Sequence, residues 1–232
     1  MKPYQTVPIE DCGEALVPIP LNQFAVVTPH PYAELGAPYG SYSPYFLRQG
    51  VLKKLLSAQA YLQAHTPNWT LQIFDAYRPI PVQQFMVDHT FAQLAATEGL
   101  DIAVMNSETR DRLQAKVSEF WASPSSNPQT PPPHSTGAAI DLTLLDSSGN
   151  AVDMGSDIDE ISPRSYPQHF ANKKGDEARQ LHHHRQLLAQ AMASAGFQQH
   201  PNEWWHFSSG DQLWAWREGN GAIAQYGSAS PA

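Results

Sequence analysis

The chain has 232 residues, 41% of them hydrophobic, which is ample for a sizeable core within one large domain or two small ones. Its net charge of -8, from 14 Lys+Arg against 22 Asp+Glu with no basic block, argues against nucleic acid or an anionic membrane as the main partner and favours a small-molecule substrate. The single cysteine, Cys12, excludes an intrachain disulfide framework and a thiolate-rich metal site, so any metal must be held by histidines and carboxylates.

Residues 1 to 45 are rich in proline and tyrosine, from Pro18 and Pro20 to Pro44 and Tyr45, and cannot form a long helix because each proline removes a donor and restricts its predecessor. This segment is expected to wrap the surface, with one short strand at Phe24 to Val27. From Phe46 to His65 the residues Leu47, Val51, Leu55, Ala58 and Leu62 fall on one helical stripe that Pro67 closes. Thr70 to Phe74 alternates like a strand and exits at Asp75-Ala-Tyr-Arg-Pro79, where Arg78, preceding a proline, is pushed out of the helical region. Helices are expected from Pro81 or Val82 to Ala96 and from Ser107 to Phe120.

Ser123 to Pro133 reads as a surface loop whose stiff Pro131-Pro132-Pro133 end fixes the approach to His134. Ala138 to Leu145 reads as a strand, Asp146 to Asn150 as a hairpin turn and Ala151 to Met154 as the returning strand. A helix from Asp176 to Ala195 stops at Gly196, and Trp204 to Phe207 suggests another strand of the same sheet. The expected architecture is α+β, a central antiparallel sheet packed by several helices, in a single domain over 1–232. Residues 220–232 are expected to be a frayed tail. The first residues hold no apolar leader-like run, and no stretch approaches the roughly 20 apolar residues that span a bilayer, so a cytoplasmic location is expected.

The chemistry concentrates in His134-Ser-Thr-Gly-Ala-Ala-Ile-Asp141 and Glu203-Trp-Trp-His206. Together they offer two imidazoles and two carboxylates, enough for three zinc ligands with one carboxylate left to handle protons. Seven extended residues span roughly 23 Å, so His134 and Asp141 share an ion only if the chain bends between them, and Gly137 is where a bend is cheapest. Asp141 lies in an apolar strand, where a lone buried carboxylate costs several kcal/mol unless paired. Two His and one Asp keep a positive site with an open position, which suits a catalytic rather than a structural zinc, one per chain. Glu203, just after Pro201-Asn202, is expected to lie in a loop and to move protons to and from the attacking water, while His206 binds from the strand. The run His182-His-His184 sits among polar residues and reads as a solvated helix face, since consecutive helical residues diverge.

These runs resemble the zinc-dependent D-alanyl-D-alanine dipeptidases of the VanX type, which carry His-Ser-x-Gly-x-Ala-x-Asp, Glu-x-Trp-His and Asp-x-Tyr-Arg-Pro runs; this chain matches them at 134–141, 203–206 and 75–79. The resemblance runs from about residue 30 to 207 and implies a fold shared with D,D-peptidases and Hedgehog domains. It implies that His134, Asp141 and His206 bind zinc, that Glu203 is the general base and acid, and that Arg78 stabilises the developing oxyanion. The last role has its own rationale: a fixed guanidinium aimed at a carbonyl oxygen that gains charge is worth several kcal/mol in a dry pocket. An Arg78–Asp75 ion pair holding the turn is compatible with it. The resemblance also implies that Asp159 holds the substrate's ammonium group, although Asp153, Asp157 and Glu160 lie close by in sequence. Pro132-Pro133 depart from the family's small hydroxyl residues before the first histidine, which bears on the dipeptide preferred. The reaction implied is hydrolysis of D-Ala-D-Ala or a close D,D-dipeptide. The rival readings are a carboxypeptidase acting on peptidoglycan stem peptides and a non-catalytic zinc-binding interaction module of the Hedgehog kind.

Overall fold

The computed structural model describes residues 2–230, so Met1 and residues 231–232 lie outside it. The fold is α+β. Strands β1 (Leu16–Pro18) and β3 (Phe46–Arg48) form a small antiparallel pair, and β2 (Ala25–Val26), β4 (Thr70–Asp75), β5 (Ala139–Leu145), β6 (Gln198–Gln199) and β7 (His206–Ser208) form a five-stranded sheet ordered β2-β4-β5-β7-β6. Its pairings are antiparallel except at the edge, where β2 runs parallel to β4. The helices are α1 (Pro31–Glu34), α2 (Gln49–His65), α3 (Ile80–Thr97), α4 (Ser107–Phe120), α5 (Asp176–Ser194) and α6 (Gln212–Glu218).

One face of the sheet is the core. Leu71 and Ile73 of β4 and Ile140, Leu142 and Leu144 of β5 are fully buried and cluster with Leu55 and Leu62 of α2 and Leu188 and Met192 of α5. The period-2 alternation that sends these side chains one way leaves Ala139, Asp141 and Thr143 on the other face. A second cluster joins α3 and α4 through Val82, Met86, Phe91, Leu113 and Val117, with Trp121 at its edge. Local signals set the helix ends: the Asn106 side chain accepts from the Thr109 N–H at 2.8 Å to cap α4, and Asp211 caps α6 from Trp214 at 2.8 Å. None of the helices among the described residues is long and apolar enough to cross a membrane.

The structure differs from the sequence expectations in several places: residues 1–45 hold β1 and α1 besides the one strand expected, and the strand expected from Trp204 begins only at His206. Phe46 to Arg48 is strand rather than helix, because Val17 and its neighbours in β1 pair with it. The strand expected at Ala151 to Met154 shrinks to one bridge, Leu145 with Ala151. Its backbone is taken elsewhere: the Arg185 Nε–H donates to the Met154 carbonyl at 2.7 Å, and His184 Nδ1 lies 2.7 Å from the Asp153 carbonyl. The tail is anchored over 224–229 rather than frayed. Ala224 pairs with Ile9, Tyr226 is buried with its hydroxyl 2.9 Å from Glu14 Oε2, and the Ala229 N–H donates to Ser135 at 2.9 Å.

Candidate active site

The sheet lines up the site. Asp75 on β4 pairs with Asp141 on β5, and Asp141 pairs in turn with His206 on β7, so three polar side chains sit abreast on three strands. A bulge between Ile73 and Asp75 makes this possible, because without it Asp75 would face the core with Ile73. His134 arrives from a 3-10 turn, Pro133–Thr136, that Pro133 starts with its fixed φ. The bend expected at Gly137 is there: its φ is +71°, and a Cβ would lie 2.1 Å from Leu16 Cδ2. Arg48 clamps the bend, its N–H donating to the Gly137 carbonyl and its Nε–H to the Thr136 carbonyl, both at 2.8 Å.

His134 Nε2, His206 Nδ1 and Asp141 converge, with ligand atoms within 4.8 Å of one another and all three residues buried. Asp141 Oδ1 is 2.9 Å from His206 Nδ1, Asp141 Oδ2 is 3.2 Å from His134 Nε2, and the two imidazole nitrogens are 3.1 Å apart. The outer ring nitrogens set the tautomers. His134 Nδ1 donates to the Ala76 carbonyl at 2.7 Å, and His206 Nε2 faces Ser208 Oγ at 3.4 Å, which itself donates to Asp211 Oδ2 at 2.8 Å. Both inner nitrogens thereby turn lone pairs toward the same carboxylate, a cluster of acceptors that a cation satisfies. The donor set of two imidazoles and one carboxylate fits zinc. Burial pushes the Asp141 carboxyl up, but the adjoining His134 and His206 outweigh it and hold the group well below the usual carboxylate range. Among the described residues no other histidine or carboxylate group forms such a cluster, and His182 to His184 form none.

Around the ligands, the structure brings the other expected residues into one pocket with Arg78, Asp159 and Glu203 on its wall. Glu203 lies in the loop before β7, buried, with Oε2 3.8 Å from His206 Nδ1. Its Oε1 makes no hydrogen bond, although His200 Nδ1 is 3.3 Å away in poor alignment. Burial pushes the Glu203 carboxyl well above its ordinary value, against the pull of Lys2.

Arg78 is held from all sides. Its Nε–H and NH2 donate to Asp75 Oδ2 at 2.9 and 2.7 Å, and its NH1 donates to Gln83 Oε1 at 3.0 Å. Longer contacts of 3.3 Å run to Asp141 and the Tyr32 hydroxyl. The guanidinium lies between the Tyr32 and Trp121 rings, 4.9 and 5.0 Å from their centroids. The ion pair with Asp75 and a place at the site are thus both present. Asp159 accepts from the Tyr32 hydroxyl at 2.7 Å and sits at φ +66°, a left-handed conformation that aspartate tolerates better than most residues. Burial, and then the field of Asp141, raise its carboxyl to about 7.

Sequence reasoning missed several participants. His30 Nε2 and the Tyr39 hydroxyl meet Asp75 Oδ1 at 3.1 and 3.2 Å, Tyr32 joins Arg78 to Asp159, and Gln83 steadies Arg78. Lys2 and Tyr4 line the pocket from far away in sequence. None of these carries a local motif.

A family model described as D-ala-D-ala dipeptidase matches residues 26–223. A D-alanyl-D-alanine dipeptidase of Synechocystis sp. is 52% identical over 223 residues, spanning 94% of this chain and 90% of the relative. This chain belongs to the D-Ala-D-Ala dipeptidase family. Another dipeptidase of that description, from Enterococcus faecalis, is 32% identical over 156 residues, 66% of this chain and 69% of the relative. A solved structure described as VanYB in complex with D-alanine-D-alanine is similar at 15% identity and TM-score 0.43, covering 70% of this chain and 71% of that one. As a member of the dipeptidase family the protein is a zinc-dependent hydrolase of the peptidase class, and the buried trio of His134, Asp141 and His206 is a cluster suited to a metal ion.

Proposed function

We propose that the D-Ala-D-Ala hydrolysis of this family is carried out here with His134, Asp141 and His206 holding one zinc ion, Glu203 moving protons, Arg78 facing the carbonyl oxygen and Asp159 binding the substrate's ammonium. Zinc bound by such ligands supplies Lewis acidity, polarising the scissile carbonyl and making a water more acidic. Glu203 takes a proton from the attacking water on its carboxylate and passes it to the nitrogen of the departing D-alanine. The observation that carries this role is the buried Glu203 carboxylate, with Oε2 3.8 Å from His206 Nδ1 and Oε1 without a hydrogen bond. Arg78 has five N–H donors, and Asp75 and Gln83 engage three of them with short bonds, which fixes the plane of the group and leaves donors for the oxyanion. Asp159, half-buried and braced by Tyr32, supplies the acidic pole for the ammonium.

The pocket favours a free dipeptide over a stem peptide. Asp159 on its wall offers an acidic pole for a free ammonium, which a dipeptide carries next to its scissile bond and a stem peptide does not. One exposed thiol, Cys12, and no possible intrachain disulfide suit a reducing compartment, and we place the activity in the cytoplasm.

The test is to compare D-Ala-D-Ala with N-acetyl-D-Ala-D-Ala on zinc-loaded protein. A dipeptidase that pairs Asp159 with an ammonium should lose about 30-fold or more in kcat/KM on the acylated substrate, the loss expected when one partner of a buried charge pair is removed. Equal rates on both would instead mean a carboxypeptidase, and hydrolysis of neither would mean a zinc-binding module without catalysis.

A further inference from the structure

The dipeptide has a charge at each end, and the roles above account only for its ammonium. Its carboxylate belongs to the departing residue, two bonds from the nitrogen that Glu203 protonates. The cation for that carboxylate must therefore lie beside Glu203, on the side away from Asp159. Arg78 does not fit the place, because Asp75 and Asp141 already offset its charge and its contact with Tyr32 links it, through the Tyr32 hydroxyl, to the Asp159 side.

Lys2 fits it. Its side chain lines the same pocket as Glu203, His200 and His134, and it is half-buried. Among the described residues no carboxylate lies within 4 Å of its ammonium. Glu203 is the charge that draws on its ammonium, and Lys2 in turn lowers the carboxyl of Glu203. A cation at Lys2 and an acidic pole at Asp159 thus line one pocket together with Glu203 and the ligand cluster. The segment carrying Lys2 is also built into the fold. The Lys2 N–H donates to Gln5 Oε1 at 2.8 Å, Tyr4 is buried, and the buried Gln212 of α6 donates through Nε2 to the Val7 carbonyl at 2.7 Å.

We propose that Lys2 binds the substrate's carboxylate and sets the register of the dipeptide across the site, a role that rests on the dipeptidase reading above. Pro132-Pro133 bring no hydroxyl to this wall, their carbonyls being taken by Ser135 and Thr136. The recognition of a free carboxylate therefore falls on a residue more than a hundred positions earlier in the chain.

The experiment compares D-Ala-D-Ala with its C-terminal amide on zinc-loaded wild type, Lys2→Met and Lys2→Arg, with zinc content measured for each. Wild type should prefer the acid to the amide by about tenfold or more in kcat/KM. Lys2→Met should abolish that preference, chiefly by raising KM for the acid far more than for the amide, and Lys2→Arg should retain most of it. An unchanged acid-to-amide ratio in Lys2→Met overturns the proposal, as does an equal fall on both substrates, which would mark a general effect on Glu203 or folding. If wild type hydrolyses neither substrate, the dipeptidase reading itself has failed, and the Lys2 proposal falls with it.

Discussion

At the scale of single residues, the site works by placing charges that would be unfavourable alone. Asp75 and Asp141 face each other across β4 and β5, where like charges repel. Arg78, His30 and the histidine ligands surround them with compensating charge and hydrogen bonds, and burial, which pushes Asp75 up, is outweighed so that its carboxyl stays below the usual range. Asp159 is the opposite case, since burial and the field of Asp141 raise it to about 7. An ammonium binds only the ionised form, so kcat/KM for the dipeptide should rise with pH as Asp159 loses its proton and fall on the acid side. Zinc neutralises Asp141 and relieves part of the rise, so the acidic limb in the holoenzyme should lie below 7 and above the ordinary carboxylate range of about 4. In Asp159→Asn this limb should vanish while KM rises about 30-fold or more. A pH profile with the same limb in the variant would assign it to another group.

At the scale of elements, the metal site depends on the left-handed bend that joins the Pro133–Thr136 turn to β5. Gly137→Ala places a β-carbon at φ +71° against Leu16, a conformation costing roughly 1–2 kcal/mol before any displacement of the neighbour. The variant should unfold at lower denaturant concentration and bind zinc about tenfold or more weakly, because His134 and Asp141 flank the bend. Unchanged zinc affinity in a competition titration would show that the bend does not position the ligands. This bend was legible in advance, since ligands seven residues apart need a reversal and Gly137 was the residue that allowed it. The helix read over Ser107 to Phe120 has those bounds in the structure. The returning strand after Asn150 was not legible. Short hairpin signals say nothing about Arg185, whose guanidinium draws on the carbonyls of Met154, Arg164 and Tyr166 and shapes the acidic segment that carries Asp159.

At the scale of the whole molecule, the chain brings residue 2, the strands at 75, 141 and 206, and the loop at 159 to one buried pocket, and then uses its last residues to brace the metal loop. The Arg48 guanidinium ties Asp11, Thr136 and Gly227 together, and the Tyr77 hydroxyl donates to the Ala229 carbonyl at 2.8 Å. Motifs revealed the ligands and Glu203 because their chemistry is written in residue type and local spacing. Lys2, Tyr32, His30 and the anchored tail were invisible because their partners lie tens to hundreds of residues away. The central claim is that this pocket is a zinc site with Glu203 as its proton carrier. Zinc content and D-alanine release from D-Ala-D-Ala, measured together on wild type and Glu203→Gln, test it most directly. The account predicts one zinc per chain in both proteins, with kcat lower in the variant by about 10²- to 10⁴-fold. A variant that holds zinc and turns over within a few-fold of wild type, or a wild type that is fully active without zinc, would contradict it.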